Sequence, residues 1–87
     1  MSVLTKLLYH PEINILLHLY YKRISKYSDF HRYTSGRGAT YRAVENLLEM
    51  KLIEKIDYGV YQITKLGYEI AKHIVEMRKL IDKYFKV

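Results

Sequence analysis

Eighty-seven residues, 49% hydrophobic and 28% charged, are enough for one folded domain with a modest core, and the apolar content is too high for a chain that stays disordered. The absence of cysteine excludes disulfides and thiolate metal sites. The formal net charge of +6 is uneven: from Lys22 to Arg42 six cations (Lys22, Arg23, Lys26, Arg32, Arg37 and Arg42) face Asp29 alone, so this segment carries +5 and the rest of the chain +1. Such a concentration is either a solvated face or a surface for a polyanion.

In chain order, residues 2–9 place Val3, Leu4, Leu7 and Leu8 at helical spacing, as in a short helix or an arm that packs on another element. The apolar run from Ile13 to Tyr21 is broken by Asn14 and His18, and the first nine residues carry no signal-peptide pattern. No membrane partner is expected, and the protein should remain in the cytoplasm. Pro11 suits the first position of a helix over 11–23, with Ile13, Leu16, Leu17 and Tyr20 as its buried stripe and Ile24 as its extension. His10 and His18 stand without partners at metal-ligand spacing, so no metal is expected. Ser28 is placed to cap a short helix over 28–34 that turns Phe30 and Tyr33 inward and His31 and Arg32 outward.

Ser35-Gly36-Arg37-Gly38 then makes a tight turn into a helix over 37–51. At 100° per residue, Thr40, Ala43, Val44, Leu47, Leu48 and Met50 share one arc, and Arg42, Glu45, Asn46 and Glu49 lie opposite. Arg37 and Arg42 open this helix and the acids come later, so an anionic partner should meet its N-terminal half, where free N–H groups and the positive end of the dipole also point. Two β-rich runs around Asp57-Tyr58-Gly59 predict a hairpin over 53–63. Thr64 caps a final helix over 65–86.

Ile70, Ile74, Met77, Ile81 and Tyr84 on that helix are spaced 4, 3, 4 and 3 apart, an a/d seam. Leu66, Ile70 and Ile74 would serve the chain's own core. The helix then continues for about 15 Å more, leaving Leu80, Ile81, Tyr84 and Phe85 for a second copy of the chain. The expected class is mainly α with a small β-hairpin (α+β). Helix, helix-turn-helix, hairpin and helix is the order of a winged helix-turn-helix domain with a long C-terminal dimerisation helix.

The runs GATYRAVENLLEMKLI and GVYQITKLG resemble the pattern of small winged-helix transcriptional regulators of the PadR and MarR type, archaeal or archaeal-viral in kind. The likeness covers about Pro11 to Ile74. It implies a homodimer that binds double-stranded DNA, with the helix over 37–51 in the major groove. Tyr41 and Arg42 match the DNA-facing positions, and Glu45 and Asn46 follow on the same side. Arg42 can read guanine or clamp a phosphate, and Asn46 can read adenine. Tyr41 either touches the backbone or rims the core. Lys22, Arg23, Lys26, Arg32 and Arg37 would contact phosphates, with Lys55 the one cation near the short wing. Lys51 departs from the pattern, which has a glycine there; either the helix exit differs or Lys51 takes a left-handed conformation at some cost.

No serine or threonine has an evident histidine partner, no carboxylate pair stands on an apolar face, and no nucleotide fingerprint follows a strand, so neither enzyme activity nor a cofactor is expected. Two functions remain: a homodimeric, sequence-specific DNA-binding regulator, or a winged-helix module that binds protein or RNA within a larger assembly.

Overall fold

A computed structural model describes residues 10–84; the expected arm over 2–9, and Phe85, lie outside them. Pro11 opens α1 (Pro11–Lys22), where its missing N–H leaves no hydrogen bond unmade. Glu12 in the same turn complements the helix dipole and meets His10, Nδ1 to Oε2 at 3.0 Å. The helix buries Ile15, Leu16, Leu17 and Leu19. It stops at Arg23, whose φ of 70° is left-handed, and the chain leaves as β1 (Ile24–Lys26). Ile24 therefore does not extend the buried stripe. It is 51% exposed, because strand alternation turns Ser25 inward in its place.

The segment expected as a helix over 28–34 is a 3-10 helix, Tyr27–Tyr33. Tyr27, Phe30 and Tyr33 recur every third residue, and three residues per turn stack them on one line. Phe30 is fully buried and both tyrosines pack against the core. Ser28 does not cap this helix. Lys26 holds the cap position, and its N–H donates to the Asp29 carboxylate at 3.3 Å.

α2 (Arg37–Glu49) buries Thr40, Ala43, Val44 and Leu47. Met50, expected on the same arc, is 50% exposed since it lies past the last helical turn. Lys51 has a φ of 60°, the left-handed alternative. Its N–H bonds Leu48 O, and the next N–H, of Leu52, reaches back to Leu47 O, both at 3.0 Å. This pairing satisfies two of the helix's last carbonyls, and the burial of Leu52 beside Leu47 offsets the roughly 1–2 kcal/mol that a side chain costs in this conformation.

β2 (Ile53–Asp57) and β3 (Val60–Ile63) form the hairpin, with Gly59 at φ 66° in the turn. A register irregularity between Lys55 and Asp57 leaves Ile56 unpaired and exposed. β1 pairs with the other side of β3, Ser25 opposite Tyr61, which gives a three-stranded antiparallel sheet in the order β1-β3-β2. The chain is thus mainly helical with a small antiparallel sheet, and β1 is a strand the periodicity did not reveal.

Thr64 caps α3 (Lys65–Tyr84) as expected: its Oγ1 accepts the Gly67 N–H at 3.0 Å and donates to Lys51 O at 2.7 Å. The stripe α3 turns to the core differs from the one the spacing suggests. Gly67, Ala71 and Ile81 are buried and Ile74 and Val75 pack against the core, while Leu66 is 52% and Ile70 37% exposed. Ile81, expected to await a second chain, is only 9% exposed within one. Ile70, Ile74, Met77, Ile81 and Tyr84 therefore do not form one surface. Arg78 ties α3 to α1, Nη2 to Asn14 Oδ1 at 3.1 Å. Among the described residues no helix is long and apolar enough to cross a membrane.

Candidate functional site

The junction between the 3-10 helix and α2 is fixed by one hydroxyl. Gly36, at the N-cap of α2, offers no side-chain cap, and Thr40, one turn inside, supplies the missing polar link. Thr40 is fully buried. Its Oγ1 donates to Gly36 O at 3.1 Å, meets His31 Nδ1 at 2.9 Å and bonds the Thr34 hydroxyl. The Thr34 hydroxyl also reaches Gly36 O, at 3.3 Å, so both threonine hydroxyls and the His31 ring meet around the Gly36 carbonyl. The turn that aims α2 is thereby clamped to the 3-10 helix.

On its exposed surface α2 presents Arg42, Glu45 and Asn46 opposite Thr40, with Arg37 and Tyr41 on the flank. Tyr41 is 61% exposed and is not part of the core. The face is bordered by β3: burial holds the Tyr61 phenol above its ordinary range, and Tyr27, Glu45 and Tyr41 nearby push it further the same way. Arg37 and Arg42 form no ion pair among the described residues. Their charge adds to the free N–H groups and positive dipole end at the start of the helix, whereas Glu45 and Glu49 offset it further along.

The other cations do not gather on this face. Arg23 lies over the Tyr68 ring of α3, 4.5 Å from its centroid, and Lys55 is 5.4 Å from the centroid of Tyr58 at the hairpin turn. Lys22, Lys26 and Arg32 converge from α1, β1 and the 3-10 helix on a cleft of about 610 Å³ to which α2 contributes no lining residue.

The wall of that cleft is a chain of hydrogen bonds. The Ser25 hydroxyl donates to Asp29 Oδ2 at 2.7 Å and lies 2.9 Å from His18 Nε2; His18 Nδ1 lies 2.8 Å from the Tyr33 hydroxyl. Because the one proton of Ser25 goes to Asp29, Nε2 must donate to Ser25 and Nδ1 accepts from Tyr33 in the neutral ring. This order is the reverse of a nucleophilic serine, in which the histidine accepts the hydroxyl proton. Burial lowers the His18 pKa below 6.5, opposed by Asp29 and reinforced by Arg32 and Lys22. Asp29 is held below 3.8 by the Ser25 hydrogen bond and the Lys26 N–H.

Sequence spacing missed both networks, since Thr34 with Thr40, and His18 with Ser25, come together only through the bend at Arg23 and the turn at Gly36. The legible signal was the three-residue spacing of Tyr27, Phe30 and Tyr33, which sets the inward face of the 3-10 helix and therefore the outward one. Among the described residues no group of three or more histidines and carboxylates could hold a metal ion. Comparison with known proteins finds no match: no family model, no curated protein and no solved structure aligns with the chain.

Proposed function

We propose that the chain is a winged helix-turn-helix regulator that binds double-stranded DNA as a homodimer, with α2 the recognition helix and the β2–β3 hairpin the wing. The observation that carries this reading is the exposed face of α2, where Arg37, Tyr41, Arg42 and Asn46 stand on a helix whose other face is locked into the core. Arg42 and Asn46, one turn apart, suit base edges in the major groove. Arg37, on the first turn, suits a phosphate. The order of elements and the resemblance in the GATYRAVENLLEMKLI run point the same way.

The second copy would meet α3. Leu66, Ile70, Met77, Leu80 and Tyr84 are 37–69% exposed, and with His73 they are spaced 4, 3, 4, 3 and 4 apart. At 3.6 residues per turn they fall within an arc of about 80°, the width of a coiled-coil seam. This stripe replaces the one that included Ile74 and Ile81. A two-fold dimer would present two copies of α2 to an inverted repeat with half-site centres about 34 Å, or a multiple of it, apart.

Selection of bound duplexes from a random pool tests binding, specificity and symmetry together. A symmetric consensus is expected, and Arg42→Ala should cost about 1–3 kcal/mol on that consensus and much less on random duplex. Arg37→Ala should weaken all duplexes alike and flatten the slope of log K against log salt by about one unit. Failure to enrich any duplex, together with co-purification of a fixed protein or RNA partner, would replace this reading with that of an interaction module.

A further inference from the structure

We propose that the cleft between α1, β1 and the 3-10 helix is a binding site for a phosphate group, seated by Lys22, Lys26 and Arg32. Each of these cations is supplied by a different element, so their convergence is a property of the fold and not of a basic run along one helix. None of them is in an ion pair among the described residues. Three like charges around one concavity repel, and the natural relief is an anion between them. The only carboxylate in the cleft, Asp29, is already engaged by the Ser25 hydroxyl and the Lys26 N–H.

Three cations against that one carboxylate leave a formal excess of two, which matches a phosphate monoester dianion better than a single carboxylate. Arg32 adds a planar fork suited to two phosphate oxygens. Ser25 is buried and its hydroxyl is held by two hydrogen bonds, so the wall behind the cations is rigid. The cleft, at about 610 Å³, is larger than a bare phosphate needs and falls in the range of small-molecule sites. Ile24 and Val60 line it as well, an apolar patch for the organic part of a phosphorylated compound. The site stands apart from the exposed face of α2 and does not rest on DNA recognition by that face. The phosphate itself can come from a small molecule or from the backbone of a duplex, and the two sources are separable.

The test is a titration of the full chain with inorganic phosphate, followed by amide NMR at fixed ionic strength with chloride as the balancing anion. Saturable shifts at Ser25, Lys26 and Asp29 are expected. Arg32→Gln and Lys22→Gln should each weaken binding about tenfold, the loss of one charge-assisted contact, while Lys72→Gln on α3 leaves it unchanged. Melting curves of the three variants verify the fold, since all the altered side chains are exposed. Shifts that fail to saturate, that chloride reproduces, or that persist equally in Arg32→Gln overturn the proposal. A short duplex added to the phosphate complex then identifies the source. Displacement of phosphate from Ser25 and Lys26 assigns the seat to the DNA backbone, and retained phosphate with duplex shifts confined to α2 assigns it to a small phosphorylated ligand. A parent chain that binds phosphate but no duplex separates a failure of the DNA reading from a failure of this one.

Discussion

Gly67 is the residue at which α3 is seated, and replacing it tests how the whole chain closes. A Cβ at this position would lie 2.0 Å from Leu52 O, 2.9 Å from Leu52 C and 3.0 Å from Ile63 Cγ1. The first of these atoms is backbone, so no flexible side chain can give way, and contact would require a displacement of about 1.4 Å or more to reach ordinary van der Waals distance. That carbonyl accepts the Thr64 N–H at 3.0 Å, and the neighbouring Lys51 carbonyl accepts the Thr64 hydroxyl. Moving α3 off the turn therefore strains two hydrogen bonds, at about 0.5–1.5 kcal/mol each, and adds an overpacking cost of about 1–3 kcal/mol. The gain in helix propensity from glycine to alanine returns about 1 kcal/mol, which leaves Gly67→Ala destabilised by about 1–5 kcal/mol. At the middle of that range, about 3 kcal/mol, the fall in Tm for a domain of this size is roughly 12–24 °C, readable by thermal and urea unfolding. Gly38→Ala is the control, because nothing lies within 4 Å of its added Cβ, and the same propensity term should leave it equal to or about 1 kcal/mol above the parent. A Gly67→Ala protein as stable as the parent would refute the seating of α3 on the Leu52 carbonyl.

Thr40→Val keeps the shape but removes the hydroxyl shared by Gly36, His31 and Thr34, so it should cost about 1–3 kcal/mol in urea unfolding; an unchanged midpoint would show that the clamp carries no stability. Acid should destabilise the protein in two steps. The folded His18 pKa lies below 6.5, so stability is full above that value and falls as pH drops below it, because the unfolded chain takes up a proton that the folded one refuses, levelling off below the folded pKa. The contribution of Asp29, whose folded pKa lies below 3.8, is present above that value and is lost as pH falls through the folded one. His18→Gln should abolish the first step and keep the second; a first step that persists in the variant would assign it to another group. Leu80→Glu should leave the fold intact and give a monomer by sedimentation, whereas Ile81→Glu should lower Tm by burying a charge; the opposite pattern would return Ile81 to an intermolecular seam.

Where periodicity and turn chemistry agreed, the order of elements could be read before any coordinates. Pro11 and Thr64 marked the starts of α1 and α3, and Asp57-Tyr58-Gly59 marked the hairpin turn. Two left-handed residues without glycine, Arg23 and Lys51, were harder. At Lys51 the comparison with a glycine pattern raised the left-handed option, but at Arg23 nothing did, and β1 was lost with it. A three-residue strand made by an abrupt exit from a helix leaves no period to detect. The exposed face of α2 followed from helical geometry alone. The cleft did not, because it depends on β1 and on a 3-10 rather than an α period for Tyr27–Tyr33, which sets Asp29 and Arg32 on a common side with Lys26.

The reassignment on α3 has a single physical cause. Two stripes with 4-3 spacing run side by side along this helix, one through Leu66, Ile70, His73, Met77, Leu80 and Tyr84, the other through Gly67, Ala71, Ile74, Arg78 and Ile81, about 100° apart by helical geometry. Ranking by apolar bulk favours the first as the core stripe. The fold chooses the second, because the start of α3 sits directly on the backbone at Leu52 and only a residue without a side chain fits there; four residues on, Ala71 is fully buried. Close approach selects small residues for the inside and sends Leu66 and Ile70 outward. Where α3 moves on along α1, larger residues, Ile74 and then Ile81, take over the buried stripe. The contact that closes the single chain is thus the same one that leaves an apolar stripe along its outer face, and the seating of Gly67 decides both.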